Sequence, residues 1–218
     1  LSRDSLPRRL WRSPRAERPM KGQDKSKLAA TVILLRPTET NGFEVFLTRR
    51  PDEMAFLGGM YCFPGGALRE DDCSPAMLGI CHGLSPVDAQ KIVGGQFSPA
   101  QALGLWIAGI RELFEEAGIL LAVDNLGQPW ATEQQNLADK HAANSLGQPW
   151  AAHISNLADK HAALLKKTLS FRSLLESEGL LCDASRLAYF SHWQTPEEIS
   201  MPFDTRFFLA RLPKVQTS

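Results

Sequence analysis

Residues 99–118 constrain the fold of this chain more than any other segment. The segment starts directly after Ser98, a good N-terminal cap, and places Pro99 in the first helical turn. It ends at Gly118, the residue type that most readily takes the left-handed conformation found at the end of a helix. These signals predict a helix over residues 99–117, and its first half (AQALGLWIAGI) is almost entirely apolar. With 218 residues, the chain is long enough to bury a core within one domain.

Strand and helix patterns alternate along the rest of the chain. A cap and a proline at Ser85 and Pro86 predict a helix at about residues 86–93, and a later helix at about 164–178 is closed by Gly179. Apolar or alternating runs predict a hairpin of two strands and further strands at residues 27–36, 43–48, 60–63, 119–123, 187–193 and 205–212. Because the two patterns interleave, the predicted class is α/β or α+β.

The overall charge is balanced, with 24 Lys and Arg against 24 Asp and Glu. This balance gives no reason to expect a nucleic acid or an anionic membrane as the partner. No run approaches the roughly 20 apolar residues that cross a bilayer. Residues 1–19 differ, because six arginines there face only Asp4 and Glu17. The prolines of this segment disfavour a long amphipathic targeting helix, so we expect a disordered basic extension rather than a transit peptide.

The four cysteines do not form a metal-ligand motif. They include no CxxC pair and lie at Cys62, Cys73, Cys81 and Cys182. Cys73 with Cys81 and His82 would be half of a zinc site, but the sequence offers no second pair of ligands. Ordinary reduced thiols are the better interpretation, and they predict a reducing, cytoplasmic location.

A tandem duplication follows the first half of the chain. Residues 126–143 (LGQPWATEQQNLADKHAA) recur as residues 146–163 (LGQPWAAHISNLADKHAA), with 14 of 18 positions identical. Each copy is typical of a proline-led turn followed by about three turns of helix. We expect two exposed helical segments without chemistry of their own. A duplicated metal site at His141 and His161 with the neighbouring aspartates is disfavoured, because residues two apart on a helix point in different directions.

Three carboxylates lie near the end of the predicted apolar helix. Glu112, Glu115 and Glu116 fall at i, i+3 and i+4, so they share one helix face. Like charges so placed repel one another unless a cation lies between them, and carboxylate oxygens suit Mg²⁺ or Mn²⁺. Arg111 precedes Glu115 by one helical turn and can orient it. The alternative is a solvated acidic face, which leaves the apolar first half of the helix unexplained.

The run Pro64-Gly65-Gly66 is a second candidate feature and follows the strand predicted at residues 60–63. We expect the proline to end the strand, and the glycines, which have no side chains, let the backbone approach another group closely. Such a loop commonly lies beside a ligand. Its main-chain carbonyls are able to approach a metal ion or a phosphate.

These two features together resemble the Nudix box. The second half of the Nudix box has the pattern REUxEExGU, where U is an apolar residue, and residues 111–119 fit this pattern. The run from Phe63 to Gly66 is similar to the Nudix glycine loop, with Asp72 where the family has Glu. The two halves are further apart than in a contiguous box, which implies an insertion at residues 73–97. In this the chain resembles the Nudix branch that contains the peroxisomal coenzyme A diphosphatases.

The resemblance implies a Nudix α/β/α sandwich with a mixed sheet, a helical insertion inside the box and a duplicated helical segment. From the order of the two halves of the box, we expect the run from Pro64 to Gly66 to lie opposite the first carboxylate turn of the helix, at Glu112. It also implies a metal-dependent hydrolase of nucleoside diphosphate derivatives, with Mg²⁺ or Mn²⁺ as cofactor and a small-molecule nucleotide as substrate. The residues that it assigns to catalysis are Arg111, Glu112, Glu115 and Glu116. The implied metal ligands are the three glutamates and the main chain of Gly66. The general base stays open among these glutamates and a later acid such as Glu133.

Residues before the glycine loop resemble, in part, the coenzyme A motif of Nudix enzymes. Thr48 and Arg50 are in register with it, whereas Ala55 stands where the motif has Arg or Gln. The implied substrate contacts are Arg50, Gly58, Gly59, Phe63, Pro64, Gly65 and Gly66. Coenzyme A or an acyl derivative is therefore the predicted substrate. Because Ala55 offers no partner for the extra phosphate of coenzyme A, ADP-ribose or a dinucleotide is the alternative substrate. A non-catalytic nucleotide-binding module is the alternative function.

The predicted organisation is one Nudix domain over residues 20–218, behind the basic extension at 1–19. The insertion at 73–97 is expected to form a helical excursion at the edge of the site, and the repeat at 126–143 and 146–163 a helical pair. Nudix folds usually continue to a final helix that covers the sheet. We therefore expect the chain to be truncated at its C-terminus.

Overall fold

The computed structural model describes residues 26–38, 42–53, 58–94, 96–130, 149–195 and 202–212. The strands are β1 (Lys27–Pro37), β2 (Phe43–Val45), β3 (Thr48–Arg49), β4 (Tyr61–Cys62), β5 (Gly65–Ala67), β6 (Cys81–His82), β7 (Ala122–Asp124), β8 (Leu180–Asp183), β9 (Leu187–Gln194) and β10 (Phe203–Arg211). The helices are α1 (Pro75–Gly79), α2 (Pro86–Val93), α3 (Pro99–Ala117), α4 (Pro149–Leu165) and α5 (Phe171–Glu178). The basic extension predicted at 1–19 lies outside the described residues.

The main sheet is built around β1 and is mixed, as predicted. β1 runs parallel to β10, which pairs antiparallel with β9. On its other edge β1 pairs antiparallel with β2 near Leu35 and with β5 near Ala30. Ala30, Val32 and Leu34 are buried, so alternate residues of β1 face the core. The predicted hairpin is confirmed, but its second strand, expected at 43–48, is divided into β2 and β3.

The helix α3 is the centre of the molecule and has the predicted bounds. Ser98 forms a capping box with Gln101 at its start, and Gly118 ends it in the left-handed conformation at φ 68°. All residues from Ala102 to Phe114 are buried. The Trp106 ring lies 4.8 Å from the Phe208 ring of β10, so the helix packs directly on the main sheet. This buried position explains why the first half of the helix is almost entirely apolar.

Residues 73–97 contain two helices, α1 and α2, as expected for a helical excursion. The Ser85 hydroxyl accepts a hydrogen bond from the Asp88 N–H at the start of α2, which confirms the predicted cap. The segment also contains the short strand β6, which pairs in parallel with β8. Neither strand was predicted, because runs of two and four residues carry little periodicity and their pairing depends on contacts distant in sequence.

The helix predicted at residues 164–178 is wrong in its first part, because the chain breaks between α4 and α5. Lys167 takes the left-handed conformation at φ 59°, and the Thr168 hydroxyl donates to the Ala163 carbonyl. The Ser170 hydroxyl then caps α5 by accepting from the Ser173 N–H, and Gly179 ends this helix as predicted. A local turn therefore separates two helices that the sequence pattern joined.

The second copy of the repeat is not the exposed helix of about three turns that its sequence predicted. The helix α4 is 17 residues long, and Leu157 and Leu164 are buried in the core. Of the first copy, Leu126 to Trp130 form a turn after β7, and the rest lies outside the described residues. The apolar contacts of the second copy make it part of the domain.

The four cysteines are free, as expected for reduced thiols. Within the described ranges, no helix is both long enough and apolar enough to span a membrane.

Candidate active site

The predicted carboxylate cluster lies at the C-terminal end of α3. The Glu112 side chain is 9% exposed and the Glu115 side chain is 13% exposed. Glu116 lies at the surface. The three carboxylates therefore extend from the edge of the core to the solvent along one helix face, as their spacing predicted.

The glycine run lies directly against this face. Gly65 and Gly66 are not a loop as predicted; they start β5 and pair with β1 opposite Thr31 and Ala30. A Cβ placed on Gly66 would lie 2.5 Å from the carboxyl carbon of Glu112, a distance that real Cβ contacts do not reach. The Gly65 N–H also donates a hydrogen bond of 3.2 Å to Oε2 of Glu116. The predicted approach of the glycines to the first carboxylate is thus present, and it requires glycine.

Arg111 is buried beneath the cluster and holds it from inside. Its Nε and Nη2 donate to the two carboxylate oxygens of Asp72 at 2.8 and 2.9 Å. Its Nη1 donates to Glu112 at 2.5 Å and to Glu115 at 3.3 Å. Arg111 therefore contacts Glu115, as predicted, but its main partners are Asp72 and Glu112. Asp72, which stands where the Nudix family has Glu, reaches Arg111 from a short 3₁₀ turn at Asp71–Cys73.

Arg69 is a member of the cluster that the sequence analysis missed. Its Nη1 and Nη2 donate to the two oxygens of Glu115 at 2.7 and 2.8 Å, and Nη2 lies 3.5 Å from Oε1 of Glu112. The Arg69 side chain is 51% exposed, unlike that of Arg111, which is 3% exposed. The signal available in the sequence was its position inside the first half of the box, between Gly66 and Asp72.

Burial and charge shift the acid–base equilibria of the cluster. Burial raises the pKa of Glu112, and this effect outweighs the lowering by Arg111. Loss of water around the carboxyl group of Glu116, together with repulsion from Glu112 and Glu115, raises its pKa as well, although hydrogen bonding to Gly65 opposes the shift. Burial alone would lower the pKa of Arg111, but Asp72 and Glu112 raise it above its ordinary value.

His161 is a second residue that the sequence analysis did not place at the site. Its Nε2 lies 3.0 Å from the main-chain oxygen of Glu115, and its ring meets the Phe114 ring edge-on at 4.9 Å. The second copy of the repeat therefore contacts α3 at the carboxylate turn. Because the histidine was weighed only as a metal ligand, its role in packing and in contacting the main chain was not predicted.

The remaining predicted substrate residues lie before β5, and their described contacts differ. Arg50 is near enough to Glu116 to lower its pKa electrostatically, and the Arg50 Nε is buried without a hydrogen-bond partner among the described residues. Gly59 takes φ 72° shortly before β4, and a Cβ placed on it would lie 2.5 Å from Oδ1 of Asp52. The Pro64 carbonyl accepts a hydrogen bond from the Val32 N–H. Within the described part of the chain, no hydrogen bond joins the carboxylates to Gly58, Gly59 or Phe63. Ala55 and Glu133 lie outside it.

The residues of the cluster have the chemistry of a divalent-cation site, although their oxygens are engaged elsewhere. Among the described residues, no group of three or more His, Cys, Asp or Glu side chains is arranged so that it could hold a metal ion. Glu112 and Glu115 instead bind guanidinium groups. The donors are nonetheless hard oxygens, and the absence of a side chain on Gly66 lets the main chain lie directly against the Glu112 carboxylate. The four carboxyl groups of Asp72 and the three glutamates outnumber the nearby guanidinium groups of Arg50, Arg69 and Arg111, so the net charge of the cluster favours a cation.

Comparison with known proteins agrees with this chemistry. The family model described as the NUDT19 Nudix domain matches residues 26–217 of the chain. The crystal structure of a NUDIX hydrolase from Alicyclobacillus acidocaldarius is similar, with a TM-score of 0.54 and 25% sequence identity over 88% of this chain and 74% of that one. Nudix hydrolases generally use divalent metal ions. The Nudix fold and the enzyme class predicted from the two halves of the box are thereby confirmed. The chain belongs to the NUDT19 Nudix domain family and is a Nudix pyrophosphohydrolase of nucleoside diphosphate derivatives.

Proposed function

We propose that this enzyme cleaves the diphosphate of coenzyme A or of an acyl-coenzyme A with Mg²⁺ or Mn²⁺ as cofactor. The observation that carries the proposal is the close approach of Gly66 to Glu112, which sets three carboxylates against a backbone without side chains. Acidic groups beside an exposed glycine backbone would repel a bound diphosphate unless a cation lay between them, so the arrangement suits a substrate that brings or binds a divalent cation.

The chemistry follows from the charge of the substrate. Water forms a bond to one phosphorus, the bridging P–O bond breaks, and the products are a 3′,5′-bisphosphate nucleotide and a phosphopantetheine. A divalent cation, when bound, would offset the negative charge of the phosphoryl oxygens, which otherwise repels the electron pair of the attacking nucleophile. Glu112, Glu115 and Glu116 would hold it. One of these glutamates, or a later acid such as Glu133, would take the proton of the attacking water. Arg111 keeps Glu112 in place from the buried side of the helix.

Arg50 is the side chain that we assign to the nucleotide end of the substrate. Its buried Nε lacks a hydrogen-bond partner among the described residues, and its charge acts on Glu116. A guanidinium in this position can donate to a phosphate in two parallel bonds. The resemblance of residues around Arg50 to the coenzyme A motif supports the same assignment.

ADP-ribose or a dinucleotide is the second candidate substrate. The observation that favours it is Ala55, which stands where the coenzyme A motif has Arg or Gln. Without a charged or amide side chain there, the extra phosphate of coenzyme A loses one expected partner.

The experiment is a hydrolysis panel of coenzyme A, ADP-ribose, NADH and diadenosine polyphosphates with Mg²⁺ or with EDTA. We expect coenzyme A to have the highest kcat/KM and EDTA to abolish its turnover. Glu116→Gln should lower kcat by about 10²- to 10⁴-fold, whereas Glu70→Gln, an exposed glutamate outside the cluster, should not. A higher kcat/KM for ADP-ribose or a dinucleotide would favour the second candidate. Binding of one compound without turnover of any would favour the non-catalytic module.

A further inference from the structure

Arg69 binds the same carboxylate oxygens that the proposed cation would need. Its guanidinium donates to both oxygens of Glu115, at 2.7 and 2.8 Å, and lies 3.5 Å from Glu112. Paired N–H groups on a carboxylate form a strong, directional contact. Because each carboxylate oxygen has few lone pairs, and because two cations a few ångströms apart repel each other, the guanidinium and a divalent ion cannot both hold Glu115 in this way.

Arg111 also contacts these glutamates, but it is not free to leave them. It is buried and fixed by both oxygens of Asp72 and by the Ala67 carbonyl. Moving it would leave a buried charge without its partners, which is costly. The Arg69 side chain is half exposed, so water can solvate its charge after it leaves Glu115.

The surroundings of Arg69 permit this movement. Its main-chain N–H donates to Oδ2 of Asp72 at 2.9 Å, so the backbone stays anchored while the side chain turns. A cavity of about 290 Å³ adjoins the residue and is lined also by Asp71, Lys167 and Thr168. The cavity therefore has space for the displaced Arg69 guanidinium, and the Asp71 carboxylate in its lining can contact the guanidinium there.

We propose that Arg69 is a displaceable counter-cation, which holds Glu115 until a divalent cation takes its place. The proposal rests on the proposed function, because it requires that the cluster holds the cation. Arg69 is then a positioning residue: it keeps the repelling carboxylates together, and it raises the cation concentration at which the enzyme becomes active. The arrangement accounts for an acidic cluster with suitable donors that is nonetheless bound to arginine.

The test is the affinity of the whole chain for Mn²⁺, measured without substrate from the electron paramagnetic resonance signal of free Mn²⁺. We expect Arg69→Ala to bind Mn²⁺ about three- to tenfold more tightly than the wild type, because the competing ion pair is lost. Arg69→Lys keeps the charge but not the paired contact, so its Mn²⁺ affinity should lie between those of the wild type and Arg69→Ala. Arg36→Ala removes a similar exposed Arg–Glu pair at the other end of β1 and should leave the affinity unchanged.

Two outcomes would overturn the proposal. Equal or weaker binding of Mn²⁺ by Arg69→Ala would show that Arg69 does not compete and only holds Glu115 in place. If Arg69→Ala does not fold, as judged by its thermal transition, Arg69→Gln gives the same comparison without the charge. Glu116→Gln separates this failure from that of the proposed function. If it loses Mn²⁺ binding while Arg69→Ala is unchanged, only the competition is refuted; if it binds as the wild type does, the cation site itself is refuted.

Discussion

Arg111 and Asp72 form a bidentate ion pair in the interior, although they are 39 residues apart in the chain. Their side chains are 3% and 4% exposed. Asp72 also accepts the main-chain N–H of Arg69, so one carboxylate fixes both arginines that contact Glu115. The pair therefore joins the segment after β5 to the carboxylate face of α3, and the geometry of the cluster depends on it.

Asp72→Asn is expected to destabilise the protein by about 3 kcal/mol, because it leaves the buried Arg111 with an incomplete set of partners. Urea unfolding of the variant measures this change. Asp71→Asn alters the exposed neighbouring residue and should change the free energy of unfolding by less than about 0.5 kcal/mol. Equal stability of Asp72→Asn and the wild type would mean that the ion pair contributes nothing to the fold.

Gly66→Ala is expected to disturb the cluster directly. The new Cβ would lie 2.5 Å from the Glu112 carboxyl group, so either the side chain or β5 must shift. We expect a loss of stability of about 1–3 kcal/mol, as for other overpacked positions, and a lower affinity for Mn²⁺. Gly79→Ala is the matched control, because nothing lies within 4 Å of a Cβ placed there. The measurements are urea unfolding and Mn²⁺ titration. If the two variants gave the same stability and the same Mn²⁺ affinity, the close approach of Gly66 to Glu112 would not matter for the cluster.

The raised pKa values of Glu112 and Glu116 predict how stability depends on pH. In the window between the ordinary carboxyl pKa, about 4.3, and the raised values, the folded chain binds more protons than the unfolded chain. The contribution of these two groups to the free energy of unfolding therefore falls as pH rises through this window. Urea unfolding between pH 4 and pH 8 in EDTA should show a shallower fall for Glu116→Gln than for the wild type. Glu70→Gln should keep the wild-type slope, and equal slopes for all three proteins would contradict the prediction.

Local signals explain why the carboxylate helix could be predicted from the sequence. Ser98, Pro99 and Gly118 act within one helical turn of their own positions, so the bounds of α3 follow from neighbouring residues alone. The shared face of Glu112, Glu115 and Glu116 likewise follows from the helical period. The approach of Gly66 to Glu112 was predicted from the order of the two halves of the Nudix box.

Contacts distant in sequence explain what the prediction missed. Arg69 reaches Glu115 across 46 residues, and His161 reaches the Glu115 carbonyl across another 46. No local rule selects those partners. The break between α4 and α5 was also missed. It depends on the left-handed conformation of Lys167, which lysine rarely takes, so no signal in the sequence indicated that the helix ends there.

The duplicated segment gives a prediction about which of its copies the fold requires. Deleting residues 126–145 leaves the second copy, with the buried Leu157 and the histidine that contacts Glu115, and the buried Leu164 directly after it. The remaining sequence LGQPW then follows Asn125 just as the deleted one did. We expect this variant to fold cooperatively and to keep its Mn²⁺ affinity, as measured by urea unfolding and Mn²⁺ titration.

The matched deletion removes residues 146–165 and leaves the first copy, which is followed by Asn144 where the second copy is followed by Leu164. Asn144 would then take the place of Leu164, whose side chain is buried. Replacing a buried leucine by a polar residue costs the lost apolar contacts and leaves an amide to be satisfied, so we expect a loss of at least about 2 kcal/mol relative to the first deletion. Asn144→Leu in the same background should recover most of this difference in urea unfolding. If both deletions are equally stable, or if Asn144→Leu recovers nothing, Leu164 is not what makes the second copy the one that packs against α3.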